Sequence, residues 1–218
     1  MNNKTKRLTT TAMLCAIAYI LMVVGRLPIS TVEFFKYDPK DIVITMGGFI
    51  FGPLTAVLMS VIVAFFEMIT VSSTGIIGFV MNIVQSCTFA GIAAIFYKKN
   101  HSLKGAVAGL VTGLILATIV MLLWNYFLTP IYMGMPREAV AEMLIPVILP
   151  FNLLKGGINV SFTILLYKHI VMALRKANLV PPSEEERPSK SYVTNILVVA
   201  LIILIVCVFV ALKNIGVI

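Results

Sequence analysis

Leu149-Pro150-Phe151-Asn152-Leu153-Leu154-Lys155-Gly156-Gly157-Ile158-Asn159 is an apolar stretch that carries one lysine and two asparagines. It lies inside a longer apolar run over residues 143–172. On a helix, positions 152, 155 and 159 are three and four apart and share one face. A charge at bilayer depth costs at least ~2.5–3.5 kcal/mol, and such residues usually face a cavity or a partner. Two readings follow. A bound molecule meets Lys155, or the lysine snorkels to the interface or bonds a neighbouring helix. The first is preferred, because an intramembrane ionisable residue marks a functional site by default.

The rest of the chain supports a membrane setting. Sixty per cent of the 218 residues are hydrophobic and 12% are charged, against roughly 45–50% and 25% in soluble domains. Mean hydropathy is +1.02. The net charge of +8 does not indicate nucleic-acid binding, because the basic residues sit in short clusters between apolar runs, which is how topology is encoded. Cys15, Cys87 and Cys207 lie in apolar runs at unrelated spacings and read as free core residues. His101 and His169 stand alone at segment ends, without a ligand pattern. No phosphate-binding loop, metalloprotease helix or nucleophile elbow is present, so the chain reads as neither an ATPase nor an enzyme of those kinds.

Taken in order, the apolar runs predict an all-α membrane protein, a six-helix core plus a seventh, C-terminal membrane helix. Residues 8–25 read as a retained first helix rather than a signal peptide. Ala12 and Ala16 lie one turn apart on it, a spacing that permits close helix contact; ordinary packing within the chain accounts for them. A long connection, residues 26–40, precedes a second helix at 42–51, and connections of that length are often lids. The third helix covers 54–71 with Glu67 near its far end, where it is expected to reach the interface rather than line a cavity. The fourth, 76–97, carries Asn82, Gln85 and Ser86 on one side, for a ligand or for helix–helix hydrogen bonds. The fifth opens on Gly105, Gly109 and Gly113 and ends on Leu123-Trp124-Asn125-Tyr126-Phe127. The aromatics fit an interfacial belt; Asn125 fits a ligand contact or a helix–helix hydrogen bond equally well. Residues 130–142 are expected to form a second polar loop, and the sixth helix bears the lysine face.

The domains are then a substrate-binding membrane core at 1–177, a cytoplasmic linker at 178–192 and an extra transmembrane helix at 193–218. With the N-terminus inside, eleven basic residues fall on the inner side and five, including Arg26, Lys36 and Lys40, on the outer. That bias predicts a multi-pass cell-membrane protein with a cytoplasmic N-terminus, both polar loops outside, and one outward-facing pocket around Asn125 and Lys155. Amides, one lysine and aromatics suit a largely neutral, flat, polar-edged molecule. Active uptake would need an energy source on another chain.

Several of these stretches resemble a known family. Lys36-Tyr37-Asp38 with Asp41, Gly52-Pro53-Leu54, Asn125-Tyr126 and Leu149-Pro150-Phe151-Asn152-Leu153-Leu154-Lys155-Gly156 occur in the order and spacing seen in the riboflavin-specific S components (RibU type) of ECF-type vitamin transporters. The resemblance covers residues 5–176. It implies a six-helix vitamin-binding core closed by the first loop, with riboflavin as transported ligand and no cofactor. It also implies a membrane-embedded T component and two cytoplasmic ATPase subunits as partners. It carries over Asn125, Asn152 and Lys155 as flavin contacts, and Ala12 and Ala16 as the T-component contact. Asp38 and Asp41 are candidates for the ribityl hydroxyls, although Asp41 is as well placed to cap the second helix. The other readings are an S component for another vitamin or a flavin nucleotide, and a membrane enzyme or structural subunit in which the lysine face only packs helices. The seventh helix departs from the family pattern.

Overall fold

The computed structural model describes residues 3–29, 36–72, 74–176 and 189–214. Helix α1 spans Asn3–Val24. A two-stranded antiparallel ribbon follows, β1 (Leu27–Pro28) and β2 (Lys36–Tyr37), with Leu27 opposite Tyr37. Next come α2 (Lys40–Phe51), α3 (Pro53–Thr70) and α4 (Gly75–Ser86). A π-helical segment, Cys87–Gly91, joins α4 to α5 (Ile92–Lys99) without a break. Then follow α6 (Leu103–Met133), α7 (Arg137–Met143), a second π-helical segment (Leu144–Ile148), α8 (Leu149–Lys176) and α9 (Lys190–Asn214). Six helices among the described residues are long and apolar enough to cross a membrane.

The second helix is short but runs the length of α1, from Pro39 against Gly25 to Phe51, whose carbonyl accepts from Arg7 Nη2 at 3.0 Å. Its 12 residues cover about 18 Å at ~1.5 Å each, short of a ~30 Å hydrocarbon core. It is the bundle's internal element. Residues from Lys40 to Phe49 are all buried, with α1, α3, α5 and α8 packed around them. Gly48 makes that possible: a Cβ there would stand 2.9 Å from Ala94 Cβ and 3.0 Å from Ala56 Cβ. The glycine stripe of α6 works as expected, since added Cβ atoms at Gly109 and Gly113 would stand 2.7 Å from the Ala93 carbonyl oxygen and 2.6 Å from that of Phe89.

The polar loop expected over 130–142 is mostly helix. Pro130 lies near the C-terminal end of α6, which runs on to Met133 and stops at Gly134, a left-handed residue with φ 64°. Such a conformation ends helices and suits glycine. Helix resumes at Arg137 and leads directly into the fifth of these long helices, the one that bears Lys155. Pro146 sits inside the π-helical segment. A proline cannot donate to the carbonyl four residues back and its ring clashes there, so a wider turn absorbs it.

Of the linker expected at 178–192, residues 178–188 lie outside the described set, and α9 already begins at Lys190. Gly157 brings α9 close to α8, with Cys207 Sγ 2.9 Å from where its Cβ would be. Gly157 is two positions from Lys155, about 200° round the helix, so α9 covers the back of α8 and leaves the lysine face to the bundle. Most of its other side chains, among them Val198, Leu201 and Ile205, are exposed, as a lipid-facing helix requires.

Candidate functional site

The lysine face of α8 turns inward. Lys155 is 3% exposed, and Asn152 and Asn159 are buried beside it. The ammonium does not stand alone. Lys155 Nζ lies 3.2 Å from Asp38 Oδ2 and donates a longer hydrogen bond, 3.4 Å, to Gln85 Oε1. The sequence reading assigned the neutralising role to a guest molecule; in the folded chain a carboxylate 117 positions away supplies it.

Asp38 is held there by the ribbon. The preceding residue, Tyr37, is buried and its hydroxyl donates to Asn159 Oδ1 at 3.0 Å. Two consecutive residues of the first loop are thus fixed to two residues of α8 one turn apart. Asp38 then continues an alternating row of charges. Its Oδ1 is 3.6 Å from Lys40 Nζ; Lys40 pairs with Glu67 and donates to Asn82 Oδ1 at 3.0 Å; Glu67 Oε1 is 3.9 Å from Arg26 Nη2. Burial would push the Asp38 carboxyl up, but the ammoniums of Lys155 and Lys40 outweigh it and hold it below the ordinary carboxylate range.

Beside this row lies a narrow cavity of about 60 Å³ that opens to solvent. Asp38, Glu67, Asn82, Gln85, Asn125, Asn152 and Lys155 provide its polar wall, and Ile77, Met81, Met121, Tyr132 and Phe151 its apolar one. Arg26, Lys36, Ser72 and Thr74 also line it. Asn125 makes its hydrogen bonds within α6, its Nδ2 donating to the Met121 carbonyl at 2.8 Å and its Oδ1 accepting from Thr129 Oγ1 at 2.9 Å. It makes no helix–helix hydrogen bond among the described residues, and it lines the cavity. Asn152 Nδ2 donates to the Ile148 carbonyl at 2.8 Å. Each amide retains one N–H and acceptor capacity for a guest. Asp38 Oδ1 is buried and accepts no hydrogen bond among the described residues.

Four expectations are corrected here. Glu67 does not reach the interface; it is buried and lines the cavity, because Lys40 and Arg26 neutralise it. Lys40 is not an outer-surface charge but 1% exposed. Asp41 does not cap α2, whose cap position is Pro39 with no side-chain cap bond. Its carboxylate accepts from Ser86 Oγ at 2.5 Å and faces a smaller cavity beneath the first, shared with Gln85, Asn152 and Asn159. Ala12 and Ala16 do not pack within the chain: both are exposed on α1. Lys40 is the residue of this row that sequence reasoning missed and Glu67 the one it misplaced; Asn82, read as a ligand or helix–helix contact, accepts from Lys40 across helices. The signal was available for Glu67, the only charge in an otherwise apolar helix.

The ECF transporter substrate-specific component family matches residues 6–167. The chain belongs to that family. Among relatives of this S component, the riboflavin transporter FmnP of Bacillus subtilis (strain 168) is 30% identical over 175 residues, covering 76% of this chain and 92% of the relative. The riboflavin transporter RibU of Staphylococcus aureus (strain TCH60) is 28% identical, covering 78% and 93%. RibU of Streptococcus thermophilus (strain ATCC BAA-250 / LMG 18311) is 27% identical, covering 74% and 81%. The solved structure of the S component of a bacterial ECF transporter matches with a TM-score of 0.68 at 29% identity, over 79% of this chain and 99% of that one. The S component is a multi-pass membrane protein of a transporter family, not an enzyme. The family match ends before α9.

Breaking a buried pair by removing one partner costs ~3–5 kcal/mol, because the other charge is left uncompensated. Lys40→Met and Glu67→Met are each expected to lower the melting temperature of the purified protein markedly. The double substitution should recover part of the loss. Additive losses, measured by thermal unfolding in detergent, would contradict the pairing.

Proposed function

We propose that this S component captures riboflavin from outside the cell and presents it to an ATP-driven importer, with a membrane-embedded T component and two cytoplasmic ATPase subunits as partners. The observation that carries the reading is the charge pairing beside the cavity. Lys155, Lys40 and Arg26 alternate with Asp38 and Glu67, so every charge of the row has an opposite neighbour inside the protein. A neutral ligand enters such a site without disturbing it. Riboflavin is neutral, flat and polar along one edge, which matches two carboxamides and a lysine opposite methionines and aromatics. The relatives named as riboflavin transporters support the same choice.

In this reading Asn125 and Asn152 exchange hydrogen bonds with the ring's carbonyl and imide edge, and Lys155 donates to a ring oxygen. The Asp38 oxygen that lacks a hydrogen bond accepts from a ribityl hydroxyl. Asp41 stands one layer deeper, where it orients Ser86 and supports the Asn152 side. The N-terminus is cytoplasmic; with Lys40 buried, the basic residues divide eleven inside against four outside, which strengthens the bias. Ala12 and Ala16 form the flat strip of α1 that meets the T component. Residues 1–177 are the binding core, 178–192 a cytoplasmic linker and 193–218 an added membrane helix.

Riboflavin titration of the purified protein tests the site. Asn152→Ala is expected to weaken binding about tenfold, ~1.4 kcal/mol. Lys155→Met should weaken it at least as much, since charged donors are worth ~1.5–3 kcal/mol. Undiminished affinity in both would remove the assignment. Ala16→Arg should leave riboflavin affinity intact and abolish co-purification with the T component; retained assembly would exclude that contact.

A further inference from the structure

We infer that Glu67 sets the selectivity of the cavity against ligands that carry a phosphate. The inference rests on the riboflavin reading and concerns how the site separates that vitamin from the same flavin with a phosphate monoester on its sugar alcohol.

The starting observation is that each buried cation of the row is already committed. Lys155 pairs with Asp38, and Lys40 lies between Asp38 and Glu67. Arg26, closer to solvent, places one nitrogen 3.9 Å from Glu67 and donates with another to the Val71 carbonyl at 3.4 Å. Glu67 is the shared element: one carboxylate serves two cations and lines the cavity wall. The other cation on the lining, Lys36, is exposed at the rim, where water and salt screen it.

A phosphate monoester brings a charge of about −1.5 to −2 at neutral pH. Wherever the sugar chain lies, that charge enters a space whose buried cations are already paired, and it meets the Glu67 carboxylate, which repels it. Arg26 and Lys40 could receive the phosphate only by giving up Glu67. Glu67 therefore does two things with one charge. It permits two cations to be buried beside a neutral ligand, and it prevents those cations from recruiting an anionic one. A cavity with the same cations and no Glu67 would carry an excess positive charge and favour the phosphorylated flavin.

The test compares riboflavin with riboflavin 5′-phosphate by titration of the full chain, at low and at physiological salt. The wild-type protein should prefer riboflavin. Glu67→Gln keeps an acceptor for Lys40 and removes the charge, and it should shift the affinity ratio about tenfold toward the phosphate ester. The gain should shrink as salt rises. Arg26→Gln, at the most exposed position of the row, should move the ratio the other way. A ratio unchanged in the variants that still bind riboflavin would overturn the proposal. A wild-type protein that binds neither flavin would overturn the functional reading instead.

Discussion

The buried row Lys155, Asp38, Lys40, Glu67, Arg26 is the constraint on which the rest of the structure depends. A single charge at this depth would be costly. Five in alternation are tolerable, because each has an opposite neighbour and additional hydrogen-bond partners in Gln85, Asn82 and the Val71 carbonyl. The row also ties together parts of the chain that have little else in common. Asp38 belongs to the first loop, Lys40 to α2, Glu67 to α3 and Lys155 to α8. Removing any member leaves a charge without its neighbour, so the loop, the internal helix and the lysine-bearing helix are held in one arrangement.

That arrangement explains the shape of the site. The internal helix is short because its first turn must meet the row while the rest fills the space below, among α1, α3, α5 and α8. The ribbon brings Tyr37 and Asp38 to Asn159 and Lys155, one turn apart on α8. Asn125 and Asn152 use part of their hydrogen-bonding capacity within their own helices, which fixes their rotamers and leaves the remainder aimed at the cavity. The cavity's amides are thus held by bonds within the protein itself, the kind of support that precise recognition requires.

The fold was legible in the sequence where hydrophobic runs were long and punctuated by Gly, Pro or basic clusters. Periodicity put Lys155 and Asn152 on one face and Asn125 stood out as an amide among aromatics; all three line the cavity, because polar groups in apolar helices have few places to go. Three things were not legible. Lys40 sits at the edge of a loop, and edge lysines normally report topology; only the fold reveals that the loop turns back and buries it. Glu67 was placed by depth along its helix, whereas its environment is set by a lysine 27 positions earlier. Pro130 opened an expected loop, but a helix accommodates a proline near its end. In each case a non-local partner or a local relaxation decided the outcome.

The most direct test of the account is a structure of the protein with riboflavin bound. It should show the ring in the cavity, its polar edge within hydrogen-bond distance of Asn125, Asn152 and Lys155, and Glu67 still paired with Lys40. Riboflavin bound elsewhere, with Lys155 and Asp38 sealed against each other and the cavity empty, would contradict it.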